Sequence, residues 1–297
     1  MWAVTATPTI SRSMHILSRE PVLDLLLLVL LFTMVGCSDL KNEFSRAEED
    51  TTKHSQDGDV DGPTGRWRPD DFFDAEQMIA LAVAAEEGDI KNIDRLVEEG
   101  LDVNTTGKDG MTILLWAFWA KNKKSFEKLL IHDANPNAQI KDYSSVMSFS
   151  AVYRDDPTWL EMSLRHGADP NVENLTNPHW LKKTPIFGAI SKHNVRGVEL
   201  LIAADADLDH KDSLGETPLM FAYDFKFFDI IYRLLEGGAD YQIKDRFNHS
   251  VAGYIANSED RFTSDAQKPW RNKVIQFLEK DGINRQSLRK RLEHEND

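Results

Sequence analysis

The chain has 297 residues, 41% hydrophobic and 28% charged, enough apolar material for one or two folded units and too much for a chain disordered throughout. Lys and Arg number 35 against 49 Asp and Glu, a formal charge of -14; unless a local basic patch intervenes, this excludes nucleic acid as an expected partner, because phosphate backbones repel such a surface. A single cysteine, Cys37, excludes an intramolecular disulfide and a thiolate metal cluster.

The first predicted element is an export signal over residues 1–36. From Val22 to Val35 the chain is almost continuously apolar, with Arg12 and Arg19 before it and Gly36-Cys37-Ser38 and polar sequence after it. Its core, Leu25 to Val35 after Asp24, is well short of the about 20 residues a bilayer-spanning helix needs. Met34-Val35-Gly36-Cys37 resembles the lipobox of bacterial lipoproteins, with Met34 where that family most often has Leu. The resemblance implies that Cys37 is lipidated and becomes the new N-terminus. Ser38, rather than Asp, implies the outer membrane, facing the periplasm. Each buried acyl methylene contributes about 0.8 kcal/mol, so a triacyl anchor is effectively permanent. Initiation at Met14 leaves a compact signal and initiation at Met34 leaves none, so a minor cytosolic form is a further expectation.

Residues 37–73 read as a disordered acidic tether. Between Ser38 and Pro69 eight acids stand against five bases, with too little apolar content to order the segment. With a reach of about 30 Å it is either a leash that holds the folded part off the membrane or a solvated tail with no task.

Beyond Asp70 one phrase is written five times: Gly100-Leu101-Asp102-Val103-Asn104, Asp133-Ala134-Asn135-Pro136-Asn137, Gly167-Ala168-Asp169-Pro170-Asn171, Asp205-Ala206-Asp207-Leu208-Asp209 and Gly238-Ala239-Asp240-Tyr241-Gln242. The final positions step by 33, 34, 38 and 33 residues, and a fixed period of this size marks a solenoid. Before each phrase, Ile93, Phe126, Leu160, Val198 and Ile231 are followed three and four residues later by Leu96-Val97, Leu129-Leu130, Ser163-Leu164, Leu201-Ile202 and Leu234-Leu235, one face of a helix. Another helix is predicted upstream in each unit, opened by Thr184-Pro185 and Thr217-Pro218: a hydroxyl that caps free N–H groups, then a proline whose missing donor costs nothing there. Thr112 and Ser145 hold the matching cap positions.

Thr217-Pro218-Leu219-Met220, Thr184-Pro185-Ile186-Phe187 and Thr112-Ile113-Leu114-Leu115 resemble the Thr-Pro-Leu-His core phrase of the ankyrin repeat. Leu115, Ser148, Phe187 and Met220 stand where that family carries histidine, so its inter-repeat hydrogen bonds are not expected here. The resemblance implies an all-α ankyrin-repeat helical solenoid with β-turn or hairpin tips. Its parts are an N-terminal capping repeat over 74–108, opened by a capping box of Asp74 and Gln77, and repeats over 109–246 with an insertion at 172–183. A degenerate C-terminal capping repeat over 247–284 and a charged tail over 285–297 complete it.

No Gly-x-Ser-x-Gly elbow, phosphate-cradling glycine loop or His-Glu-x-x-His helix occurs, so no enzyme, cofactor or metal site is expected. His132, His166, His193 and His210 fall near helix ends or turn tips, where the helix dipole or exposure accounts for them. The Asp and Asn of the tips lack the spacing of an EF-hand loop and read as turn chemistry. What remains is the extended, rigid face that stacked repeats form from tips and first helices. Trp116, Trp119, Phe149, Tyr153, Phe221 and Phe225 occupy or adjoin positions that face the groove in the ankyrin family, and are candidates either for partner binding or for the core. Trp180, in the insertion, either anchors a partner or folds back on its own repeat. Asp142, Asp212 and Asp245, with the tip residues, read either as an acidic rim that attracts a basic protein or as a solvated face.

Lipobox and acidic repeats together resemble the bacterial ankyrin lipoproteins that act as immunity proteins against type VI secretion phospholipase effectors. That resemblance implies a membrane-anchored periplasmic protein whose partner is a basic-surfaced phospholipase, occluded through an interface of roughly 1,200 to 2,000 Å². A monomer is expected. The alternative is a non-inhibitory scaffold that holds a resident envelope protein or enzyme.

Overall fold

The computed structural model describes residues 67–140, 145, 150–151, 156–174, 182–257, 263–280 and 282–283. The export signal, Cys37, the tether as far as residue 66 and the tail over 285–297 lie outside the described residues.

Helices come in pairs. They are α1 (Glu76–Glu87) with α2 (Ile90–Glu98), α3 (Ile113–Trp119) with α4 (Lys123–Ile131), and α5 (Thr158–Arg165) preceded by helical residues 150 and 151. There follow α6 (Pro185–Ser191) with α7 (Val195–Ala203), α8 (Pro218–Asp224) with α9 (Phe228–Glu236), and α10 (Val251–Asn257) with α11 (Lys268–Lys280). First helices pack on first helices (α1 on α3, α6 on α8, α8 on α10), and second helices on second from α2 through α4, α5, α7 and α9 to α11. Each unit therefore buries its apolar face against its neighbours, and the stack is an all-α solenoid. Among the described residues the extended structure is one isolated bridge, Lys244 with Ser250, at a tip.

The caps explain where the helices start. Thr112 accepts from the Leu115 amide at 3.1 Å and Thr217 from the Met220 amide at 3.4 Å. Thr184 makes no such bond, and Pro185 alone marks that start. The expected capping box at Asp74 is replaced by Ala75, which caps α1 without a side-chain bond. Second helices are capped by Asp89, Asn122 and Asn194, and the last two also reach back one repeat. Asn122 donates to the Glu86 carbonyl at 3.1 Å and Asn194 to the Ala151 carbonyl at 2.8 Å. One side chain thus closes its own helix and fixes the distance to the preceding unit.

The predicted helix faces form the core: Ile93, Leu96, Phe126, Leu129, Leu160, Val198, Leu201, Ile231 and Leu234 are all buried. Ser163 stands in this row where other units carry leucine. Its hydroxyl is satisfied by the Trp159 carbonyl at 2.9 Å, and Trp159 supplies the missing volume, edge-on to Phe118 and Phe126 at 5.0 Å each. On the outer side an ion-pair ladder joins successive second helices: Lys128 with Asp94, Arg165 with Glu127, Arg196 with Glu161, and Arg233 with Glu199.

Residues 67–73, assigned above to the tether on composition, are part of this fold. Pro69–Asp71 form a 3-10 turn, with the Asp71 carboxylate taking the Arg68 amide at 2.7 Å, and Phe73 is buried. The base of the insertion is also pinned, by the Asn174 amide on the Lys183 carbonyl and the Lys182 amide on the Asn174 carbonyl.

Candidate protein-binding surface

The five tip phrases are wired alike. Gly100, Asp133, Gly167, Asp205 and Gly238, at their heads, all have positive φ, which is why only Gly and Asp occur there. Two residues on, Asp102, Asn135, Asp169, Asp207 and Asp240 each accept from the amide two positions ahead, at 2.8 to 3.0 Å. The final residue reaches the next tip: Asn104 accepts from the Asn135 amide, Asn137 from Asp169, Asn171 from Asp207 and Asp209 from Asp240, at 2.7 to 2.9 Å. The side-chain oxygens of Asn104, Asn137, Asn171 and Asp209 therefore fix the spacing of the repeats, and the Asp residues of the tips lie along the same exposed, negatively charged edge.

Asp212 and Asp245 are turn nuclei and do not form an open rim. Asp212 Oδ1 accepts from the amides of Leu214 and Glu216, and Oδ2 lies 3.8 Å from the Lys183 ammonium with the side chain fully buried. Lys183 in turn sits 4.0 Å from the Phe221 ring centroid. Asp245 Oδ1 accepts from the Phe247 and His249 amides, and Oδ2 from the Tyr254 hydroxyl. Burial works against the Asp245 charge, but the Tyr254 hydroxyl, the two amides and the nearby His249 outweigh it and hold the carboxyl below its usual range.

The aromatic candidates divide. Trp116, Trp119 and Phe221 are buried, in line with the core alternative rather than with open groove positions. Phe221 is closed in by Phe187 and Lys183. Phe225 is 39% exposed, stacked on Phe227 at 5.4 Å. Phe149, Tyr153, Trp180 and Asp142 lie outside the described residues.

The segment ahead of α1 packs against the two tryptophans. The Trp67 ring lies 5.5 Å from Trp119 and the Phe72 ring 6.0 Å from Trp116, and the Lys108 amide donates to the Phe72 carbonyl at 2.8 Å. Gly107 permits this approach, since a Cβ there would stand 2.5 Å from the Phe72 oxygen. Sequence reasoning also missed Leu214 and Phe247, 40% and 48% exposed, each two residues past a turn-forming Asp. An apolar residue at the apex of an Asp-x-x-Gly or Asp-x-x-Asn turn was the available signal, because nothing packs over an apex.

Paired helices stacked with a period near 33, joined through tips that carry an Asx turn and a bond to the next tip, define a helical repeat solenoid. These are ankyrin repeats: residues 81–130 and 149–245 match ankyrin-repeat family models. Protein PhlB of Serratia liquefaciens is 33% identical over 156 residues, covering 50% of this chain and 63% of that protein. YahD of Escherichia coli, designated an ankyrin repeat protein, is 27% identical over 172 residues, covering 56% of this chain and 82% of that one. The mitochondrial disaggregase of Bos taurus is 27% identical over 167 residues, covering 56% of this chain and 24% of the enzyme. The chain thus spans less than two thirds of PhlB and of the disaggregase. Ankyrin repeats are protein–protein interaction modules, and their presence implies a protein-interaction role for this solenoid.

Proposed function

We propose that this chain is a lipid-anchored envelope protein that captures one secreted, basic-surfaced phospholipase toxin and occludes it, acting as an immunity protein and catalysing nothing. The observation that carries the reading is the tip ladder. Four inter-repeat bonds at 2.7 to 2.9 Å hold an acidic edge in fixed register, so a partner meets a preorganised surface and little ordering entropy is lost on binding. The exposed acids of that edge speed encounter with a basic partner. The anchor half of the reading rests on the residue pattern around Cys37, and a membrane-attacking enzyme is best intercepted at the membrane.

Deleting the chain from its host is expected to cause phospholipid loss and lysis. Wild-type chain is expected to reverse this, and a Cys37→Ser variant, which cannot be lipidated, to do so poorly. Purified chain is expected to suppress phospholipid hydrolysis by the captured enzyme at a one-to-one ratio. Survival without toxicity, with release of a resident envelope protein, would replace inhibition by the scaffold reading.

A further inference from the structure

The segment Trp67–Phe73 sits where a partner's chain would sit. Val83 on α1 and Trp116 on α3 both lie six residues before the cap of their second helix, Asp89 and Asn122, and so hold the same repeat position. Val83 is 38% exposed, whereas Trp116 is fully covered, with the Phe72 ring 6.0 Å from its own. The face is thus open in one repeat and filled by the chain itself in the next.

The filling is imperfect. The Trp116 indole N–H is buried and finds no acceptor among the described residues, and the segment packed against that ring offers it no hydrogen bond. Trp67, the outer ring of the segment, remains 39% exposed against Trp119, and Arg68 is largely in solvent, its nearest ion pair a 3.7 Å contact with Asp70 inside the same segment. A main-chain bond from Lys108 to Phe72 ties the segment to the first tip.

We propose that Trp67–Phe73 is a displaceable plug on the Trp116 and Trp119 face, and that it yields to an apolar polypeptide segment of the captured protein that offers a carbonyl or carboxylate to the Trp116 indole. This rests on the capture reading above and adds where the partner docks and what it displaces. A plug of this kind keeps a sticky aromatic face closed until a better ligand arrives, and the effective concentration of a tethered segment sets the threshold that ligand must exceed.

The test uses the full chain. Hydrogen exchange of the Lys108 amide reports release of Phe72, and that of the Trp116 amide, bonded to Thr112, reports opening of α3. The expected result is that Lys108 exchanges through a local opening at least a hundredfold more often than Trp116, with little dependence on denaturant. Equal protection of the two, with equal denaturant dependence, would make the segment an integral part of the fold and overturn the proposal. A fluorescent peptide copying residues 64–74 is expected to bind a Trp67→Ala/Phe72→Ala chain at least tenfold more tightly than wild type. Gly107→Ala is the second variant, since its Cβ pushes directly on Phe72 and Phe73 without removing a ring; it should speed exchange of the Lys108 amide with unchanged helical circular dichroism and gain no peptide binding, because the same Cβ meets the peptide's own copy of Phe72 and Phe73. Loss of helix in both variants, no gain of peptide binding in the double variant, or unchanged Lys108 exchange in Gly107→Ala would overturn it. None of these measurements needs the partner, so their failure leaves the capture reading standing, and a failed deletion phenotype leaves the plug standing.

Discussion

At the head of each tip the backbone turns through positive φ, and the identity of that one residue sets a local energy. At Gly167, with φ +81, a Cβ would meet nothing within 4 Å, so the conformation alone opposes a side chain there. Gly167→Ala is expected to lower stability by about 1 kcal/mol, read as a shift of the urea midpoint at constant slope. Asp205, in the same conformation at φ +59, already bears that strain, and Asp205→Gly is expected to raise stability by about 0.5 kcal/mol in the same titration. Asp245 makes a second residue-scale prediction. Its native pKa lies below the ordinary value of 3.8, so the folded chain binds fewer protons than the unfolded one. Its stabilisation is complete above that ordinary value and is lost as pH falls through the lower native pKa. Tyr254→Phe removes one of the hydrogen bonds that depress it. Urea titrations across the acid range are expected to show a shallower rise of stability with pH in the variant than in wild type.

Among elements, the tips as well as the helices join one repeat to the next. Asn137 illustrates the chemistry: only its oxygen is needed to receive the Asp169 amide at 2.9 Å, and Asp209 does the same job two units on with a carboxylate. Asn137→Ala is expected to cost about 1 kcal/mol and to deprotect the Asp169 amide, while Asn137→Asp stays within about 0.3 kcal/mol of wild type. The period, the helix pairs and these tips were legible from the chain alone, because Gly or Asp at the head and Asp or Asn at the third and fifth places are demanded by local geometry and repeat without regard to context. The binding face was much less legible. Asp212 and Asp245 look like any solvated acid beside lysine; what turns them inward is Gly215 or Asn248 three residues later at positive φ, which closes the turn over the carboxylate. Trp116 and Trp119 are contacted from more than forty residues upstream in the chain by a segment whose composition is that of a tether, and no helical periodicity encodes such a contact.

For the whole molecule, stability is a sum over units and junctions, since each repeat touches only its neighbours. One apolar cluster runs from Ala151 to Leu278 through repeats three to six. Trp159 works on the other side of repeat three, its ring edge-on to Phe118 and Phe126, both in repeat two. Its neighbour Ser163 brings no apolar bulk to this junction, so among the described residues the indole is the aromatic wedge between repeats two and three. Removing it has a consequence that removing an equally buried leucine elsewhere does not. Trp159→Ala is expected to cost about 3 to 5 kcal/mol, a loss concentrated at one junction of the array. With that coupling gone, repeats one and two unfold at lower denaturant than repeats three to six, whose common cluster is untouched. Hydrogen exchange along a urea series is expected to show amides of α1 to α4 opening before those of α6 to α9 in the variant, where wild type opens them together. A variant that loses the same stability in a single cooperative transition would show that the junction is shared with other contacts and that the array is not partitioned at repeat three.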